Sequence, residues 1–84
     1  MKFTVEILRA AKRQLAKIEP QRRPRIIEAI HALAENPRPT GCKKLSGRPA
    51  WRIRVGSFRV IYEIHDDRLV VLVVTVGDRK DVYR

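Results

Sequence analysis

Three arginines flank a Gly-Ser dipeptide in the run Trp51-Arg52-Ile53-Arg54-Val55-Gly56-Ser57-Phe58-Arg59-Val60. Residues alternate in character on both sides of Gly56-Ser57, which reads as a two-residue type II′ hairpin. Val55 then pairs with Phe58, and Arg54 stands directly opposite Arg59. Arg52 lies two residues along on the same face. Like charges directly opposite one another repel, so a sheet built only for stability would set Glu or Thr across from Arg54. An anion held between the guanidiniums removes that conflict. The planar fork of arginine suits phosphate, which it can bind in a bidentate manner.

The surroundings extend the same chemistry. From Asn36 to Tyr62 there are seven basic residues (Arg38, Lys43, Lys44, Arg48, Arg52, Arg54, Arg59) and no acidic one. The whole chain has 19 Lys and Arg against 9 Asp and Glu, for a net charge of +10. That balance favours a polyanionic partner: nucleic acid, an anionic membrane surface or an acidic protein. The chain closes on Arg79, Tyr83 and Arg84. A tyrosine among arginines can stack on an unpaired base while guanidiniums hold the flanking phosphates. Plainer readings stand beside these, namely a basic face solvated in water and a mobile tail.

Other chemistries lack their residues. No histidine stands near a cysteine or serine in a catalytic motif, and there is no P-loop, no G-x-G-x-x-G and no metal-ligand spacing. His31 and His65 read as surface or partly buried residues, and the carboxylates are too scattered for a two-metal nuclease. Cleavage of RNA would then need neither metal nor cofactor. The RNA's own 2′-OH would be the nucleophile, with cationic groups stabilising the charged transition state. The single cysteine, Cys42, excludes an internal disulfide and a cysteine-based zinc site, and fits a reducing, cytoplasmic setting. No apolar run approaches the roughly 20 residues that span a bilayer, so no membrane partner is expected.

The elements that must position the arginines follow from periodicity. Lys2 to Glu6 alternate as a short first strand. Leu8, Ala11, Leu15 and Ile18 mark one face of a first helix whose other face carries Arg9, Lys12, Arg13 and Lys17. A second helix has Ile26, Ile27, Ile30, Leu33 and Ala34 as its apolar stripe, with Pro24 in its first turn. Asn36-Pro37-Arg38-Pro39 stops it. Lys43 to Ser46 is a short strand ended by Gly47-Arg48-Pro49. The hairpin strands are Trp51 to Val55 and Phe58 to His65, followed by a tight turn at Asp66-Asp67. Arg68 to Val76, apolar on both faces, is a central strand, and Gly77 to Arg84 a polar tail. The expected fold is one α+β domain over residues 1–84 in the order β-α-α-β-β-β-β, with both helices on one face of a small antiparallel sheet.

These residues resemble a known family. Lys44-Leu45-Ser46-Gly47-Arg48-Pro49 followed by Trp51-Arg52-Ile53-Arg54-Val55 is similar to the RelE pattern of K-L-x-G, an aromatic, then basic-I-basic. Phe58-Arg59-Val60-Ile61-Tyr62 resembles its Y-R-hydrophobic-hydrophobic-Y strand. Val70 to Val76, Gly77-Asp78-Arg79 and Val82-Tyr83 resemble its V-x-V-G-x-R ending and following tyrosine. The ordered set covers essentially the whole chain.

The resemblance implies a toxin of a type II toxin–antitoxin pair that enters the A site of the 70S ribosome. There it would cut mRNA without metal, leaving a 2′,3′-cyclic phosphate and a 5′-OH. It implies an acidic, helical antitoxin, with the toxin a monomer alone or a hetero-oligomer with that partner. Arg59 matches the arginine that stabilises the phosphate in the transition state. Arg79 matches the basic residue that protonates the leaving oxygen, and Tyr83 the tyrosine that stacks on the substrate. Arg52 and Arg54 stand where the best-studied members have lysines, the second being the proposed general base. Arginine holds its proton too tightly for that role, which leaves water or another group as base. Lys43, Lys44 and Arg48 are expected to contact RNA or the ribosome. Two alternatives share the charge pattern. One is a ParE-type toxin of this fold that inhibits DNA gyrase, and the other is an RNA-binding module without catalysis.

Overall fold

The computed structural model describes residues 2–78. Seven elements follow one another: β1 (Thr4–Ile7), α1 (Arg9–Ala16), α2 (Arg23–Ala32), β2 (Lys43–Lys44), β3 (Trp51–Val55), β4 (Phe58–His65) and β5 (Val70–Asp78). The strands form one sheet in the order β1-β5-β4-β3-β2. The α+β class and the element order are those expected from the sequence.

The hairpin forms as its alternation dictates. Gly56 has φ +60°, the left-handed value that the first position of a II′ turn requires. Val55 pairs with Phe58 and Arg54 with Arg59. Ile53, Val60 and Tyr62 turn to the other face, where they join Ala11 and Leu15 of α1 and Ile26 and Ile30 of α2 in one buried core. Both helices therefore cover one side of the sheet.

The sheet is mixed, which corrects the all-antiparallel expectation. β1 pairs with β5 in parallel, Thr4 opposite Val70 and Ile7 opposite Val73. Alternation in a four-residue strand carries no information about direction. Direction is fixed by the crossover, because α1 must pack back over β5 and parallel neighbours need a long connection of this kind.

A bulge interrupts the β4–β5 ladder between Ile61 and Tyr62. Tyr62 pairs with Val73 and Ile61 with Thr75, so Val74 is the extra residue. The core-facing residues of β5 are consequently Val71, Val73 and Val76, a spacing that simple alternation cannot produce. The bulge lies beyond the end of β1, where the N–H of Val76 has no strand to bond. Gln14 Oε1 of α1 accepts it at 2.7 Å.

Several boundaries move. β5 runs on through Gly77 and Asp78, which pair with Arg59 and Phe58 and so belong to the ladder, not to a tail. The β4–β5 connection is a four-residue loop with Leu69 at φ +54°, wider than a two-residue turn at Asp66-Asp67. β2 shortens to two residues. Ile27, placed in the apolar stripe by its type, is 40% exposed, because the buried face of α2 is set by Ile26, Ile30 and Ala29. The two helices meet at a corner closed by Arg23, whose guanidinium donates to the carbonyls of Ile18 at 2.7 Å and Ala16 at 2.8 Å. The Ala16 carbonyl is an orphan acceptor at the end of α1, where a cation is also favoured by the helix dipole, and Ile18 lies just past the C-cap Lys17.

Candidate nucleic-acid interface

Strand register assembles a basic half on the face that the helices leave uncovered. One row across the sheet reads Lys43, Arg52, Ile61, Thr75, and the next reads Arg54, Arg59, Gly77. Directly paired residues have Cβ atoms about 5 Å apart, so four cationic side chains rise from two adjacent rows. Thr75 and Gly77 share the face only because the bulge shifts the phase of β5, and no periodicity in the sequence announces them.

Burial divides the arginines. Arg54 is exposed, whereas Arg52 and Arg59 are only 6% and 3% exposed. The plainer reading, a basic face solvated in water, therefore fails for two of the three. A buried guanidinium is costly unless its donors are engaged, and both residues hold interaction partners. A phosphate arriving at Arg59 has to replace contacts that now shield it. Beside the pair, Arg54, Gly56, Ser57, Phe58 and Arg59 line a depression of about 130 Å³, the scale of a phosphate group rather than of a nucleotide.

The other sequence-predicted residues fall in different places. Lys43 stands opposite Arg52 and joins the cluster. Lys44 pairs with Trp51 on the opposite face, and its Nζ donates to the carbonyl of Arg48 at 3.2 Å, bracing the loop before β3. Arg48 is exposed on that loop. Arg79 and Tyr83 lie outside the described residues.

Arg38, counted among the basic run, is bound up in structure. Its guanidinium forks onto both carboxylate oxygens of Asp66, at 3.3 and 2.9 Å, and lies 5.2 Å from the centroid of the Trp51 ring. The hydrogen bonds from Arg38 hold the Asp66 carboxyl below the usual carboxylate range, and those to Asp66 raise Arg38. One residue earlier, the carbonyl of Pro37 accepts the buried Tyr62 hydroxyl at 2.7 Å. Burial, with Cys42 nearby, pushes the Tyr62 phenol well up, so it stays a neutral donor. Together these contacts tie the α2–β2 connection to the far end of the hairpin.

The opposite half of the open face is of different character. There Glu6, Leu72 and Glu63 form one row, and Thr4, Val70 and His65 the next. His65 Nε2 is 3.0 Å from Glu63 Oε1, a pairing able to handle a proton. Along β4, however, Glu63 and His65 stand about 13 and 20 Å from Arg59 at roughly 3.3 Å per residue. Neither reaches a phosphate held between Arg54 and Arg59.

Known proteins resemble this chain in both sequence and fold. Residues 5–83 match the family described as the ParE toxin of type II toxin-antitoxin system, parDE. The toxin RelG of Mycobacterium tuberculosis is 31% identical over 88 residues, spanning 100% of this chain and 99% of that protein. Among solved structures, the toxin-antitoxin complex RelBE2 from M. tuberculosis contains a chain with TM-score 0.85 and 26% identity, covering 96% of this chain and 95% of that one. A mutant of the Escherichia coli toxin RelE in the free state superposes with TM-score 0.81 at 25% identity, over 98% and 88% of the two chains.

Proposed function

Because the chain belongs to the ParE-toxin family, within the RelE/ParE superfamily of toxins from type II toxin–antitoxin systems, we propose that it is an mRNA endoribonuclease working in the A site of the 70S ribosome. One observation carries the reading: Arg54 and Arg59 are paired directly across the hairpin, with Arg52 and Lys43 beside them, on the face opposite α1 and α2. Sheet energetics disfavours that arrangement unless an anion is to be held there.

In the proposed reaction the 2′-oxygen of one nucleotide attacks the adjacent phosphorus and the bond to the 5′-oxygen breaks. The products are a 2′,3′-cyclic phosphate and a 5′-OH. Arg59, with Arg52 and Arg54, stabilises the charge that builds on the phosphate oxygens. The proton of the 2′-OH leaves to water or to a group of the ribosome, since arginine stays protonated. Arg79 donates a hydrogen bond to the departing oxygen as its charge develops while water supplies the proton, and Tyr83 stacks on the substrate base. Ribosomal positioning of the mRNA supplies much of the rate. The resting partner is an acidic, helical antitoxin, drawn by the net charge of +10 and in keeping with the complex that a similar chain forms with its antitoxin.

Primer extension on mRNA bound to 70S ribosomes with an empty A site tests the reading. Wild type should cut within the A site, and Arg59→Ala should cut at least about 100-fold more slowly, as expected for loss of one transition-state donor. Tyr83→Phe keeps a stacking ring and should cut nearly as well as wild type. A second reading, inhibition of DNA gyrase, is favoured by the description of the matching family as a ParE toxin. Intact mRNA together with accumulation of gyrase–DNA cleavage complexes would select it.

A further inference from the structure

We infer that the groove between the start of α2 and the β3–β4 turn is a second phosphate-binding stretch, continuing the path of a single RNA strand around the hairpin tip. The inference rests on the RNA reading above and extends it to a separate set of residues. Two depressions, of about 350 and 340 Å³, share Arg25, Val55 and Gly56. The first is also lined by Gln21, Arg22, Ser57 and Phe58, and the second by Arg54, Ala29 and Glu28. Arg54 also lines the small depression that contains Arg59. It thus stands on the rim common to both sites, and the cations follow one another as Arg59, Arg54, Arg25, Arg22.

The groove cations are available. Arg25 and Arg54 make no hydrogen bond or ion pair among the described residues. Arg22 keeps one loose ion pair, 3.7 Å to Glu19, and lies 6.0 Å from the centroid of the Phe58 ring, against the wall. The first turn of α2 contains no acidic residue, so nothing there offsets its positive end. Glu28 is the carboxylate of the second depression, one turn beyond Arg25. It directs an anion away from that side and toward Arg22.

The chemistry favours RNA over an acidic peptide. Guanidinium forks match carboxylate and phosphate alike, so the choice rests on Phe58, whose aromatic face can take a base in exchange for Arg22.

Fluorescence anisotropy with uncleavable 2′-O-methyl RNA of three and ten nucleotides tests this, alongside ribosomal cleavage. The Arg22→Ala/Arg25→Ala variant should bind the ten-mer about tenfold more weakly. Its salt slope should fall by about 1.4, that is, 0.7 for each of two phosphates released. Three-mer binding should be unchanged. Arg22→Lys/Arg25→Lys should restore the slope, and Lys12→Ala/Arg13→Ala, on α1 and outside the groove, should keep it. Thermal melting verifies that each variant is folded. Wild-type slope and affinity in the folded Arg22→Ala/Arg25→Ala variant, with cleavage intact, would overturn the groove alone. The same follows if that variant lost affinity only for a polyglutamate peptide. Absence of both RNA binding and cleavage in the wild type would overturn the functional reading, and the groove with it.

Discussion

Substituting a single side chain separates the roles assigned to the arginines. Arg54→Lys keeps the charge and adds a group able to accept a proton at high pH. On the proposed function it should raise single-turnover cleavage by about tenfold in alkaline buffer, while Arg54→Ala should lower it by about 100-fold at any pH. Tyr62→Phe has no bearing on that chemistry. It strips the buried Pro37 carbonyl of its donor and should cost about 1–3 kcal/mol in urea unfolding, with cleavage of the folded protein unchanged. The ion pair of Asp66 with Arg38 gives a pH signature. The Asp66 carboxyl is held below its usual range, so its contribution is present above the unfolded pKa and fades as pH falls through the folded one. Wild type should lose stability relative to Asp66→Asn below pH ~4, and equal acid slopes for the two would count against the pair. At this scale the sequence was readable where partners are local. Arg54 and Arg59 are five residues apart and their opposition followed from the turn. The engagement of Arg38 by Asp66, 28 residues away, and the burial of Arg52 and Arg59 depend on contacts that no local pattern records.

Among the elements, the hairpin was legible in full, because Gly56-Ser57 fixes its register and two strands alternate on either side. The bulge in β5 was not. Val70 to Val76 is apolar at every position but Thr75, so its sequence is equally compatible with either phase, and the choice is made by packing against α1. Gln14 reports on that choice, since it bonds the Val76 N–H just past the bulge. Gln14→Ala should destabilise by about 1–2 kcal/mol, and hydrogen exchange of the Val76 amide should speed up more than that of Val71. Uniform exchange along β5 would show that the bulge is held by the core alone. The same dependence on distant packing explains why Gly77 and Asp78 read as tail: glycine and aspartate are poor strand formers, and only their pairing with Arg59 and Phe58 keeps them in the ladder.

For the molecule as a whole, composition bounded the partner more tightly than the fold did. The net charge of +10 speeds encounter with any polyanion and should make association strongly sensitive to salt. On the proposed function, RNA is held by the local arrangement of cations on two rows of a sheet. Pairing of β1 with β5 has a further consequence, in the order of biosynthesis. Thr4 is among the first residues made, yet its partner Val70 is added 66 residues later. At 5–20 residues per second the wait is roughly 3–13 s. Until then β1 has no strand to bond, and β4 lacks its second neighbour. A nascent chain can therefore complete neither the sheet nor the arginine face that β5 flanks until translation has passed Val70, the first residue of β5. On the proposed function the arginine face is incomplete until β5 is made, and catalysis waits further on Arg79 and Tyr83, which follow β5 in the chain.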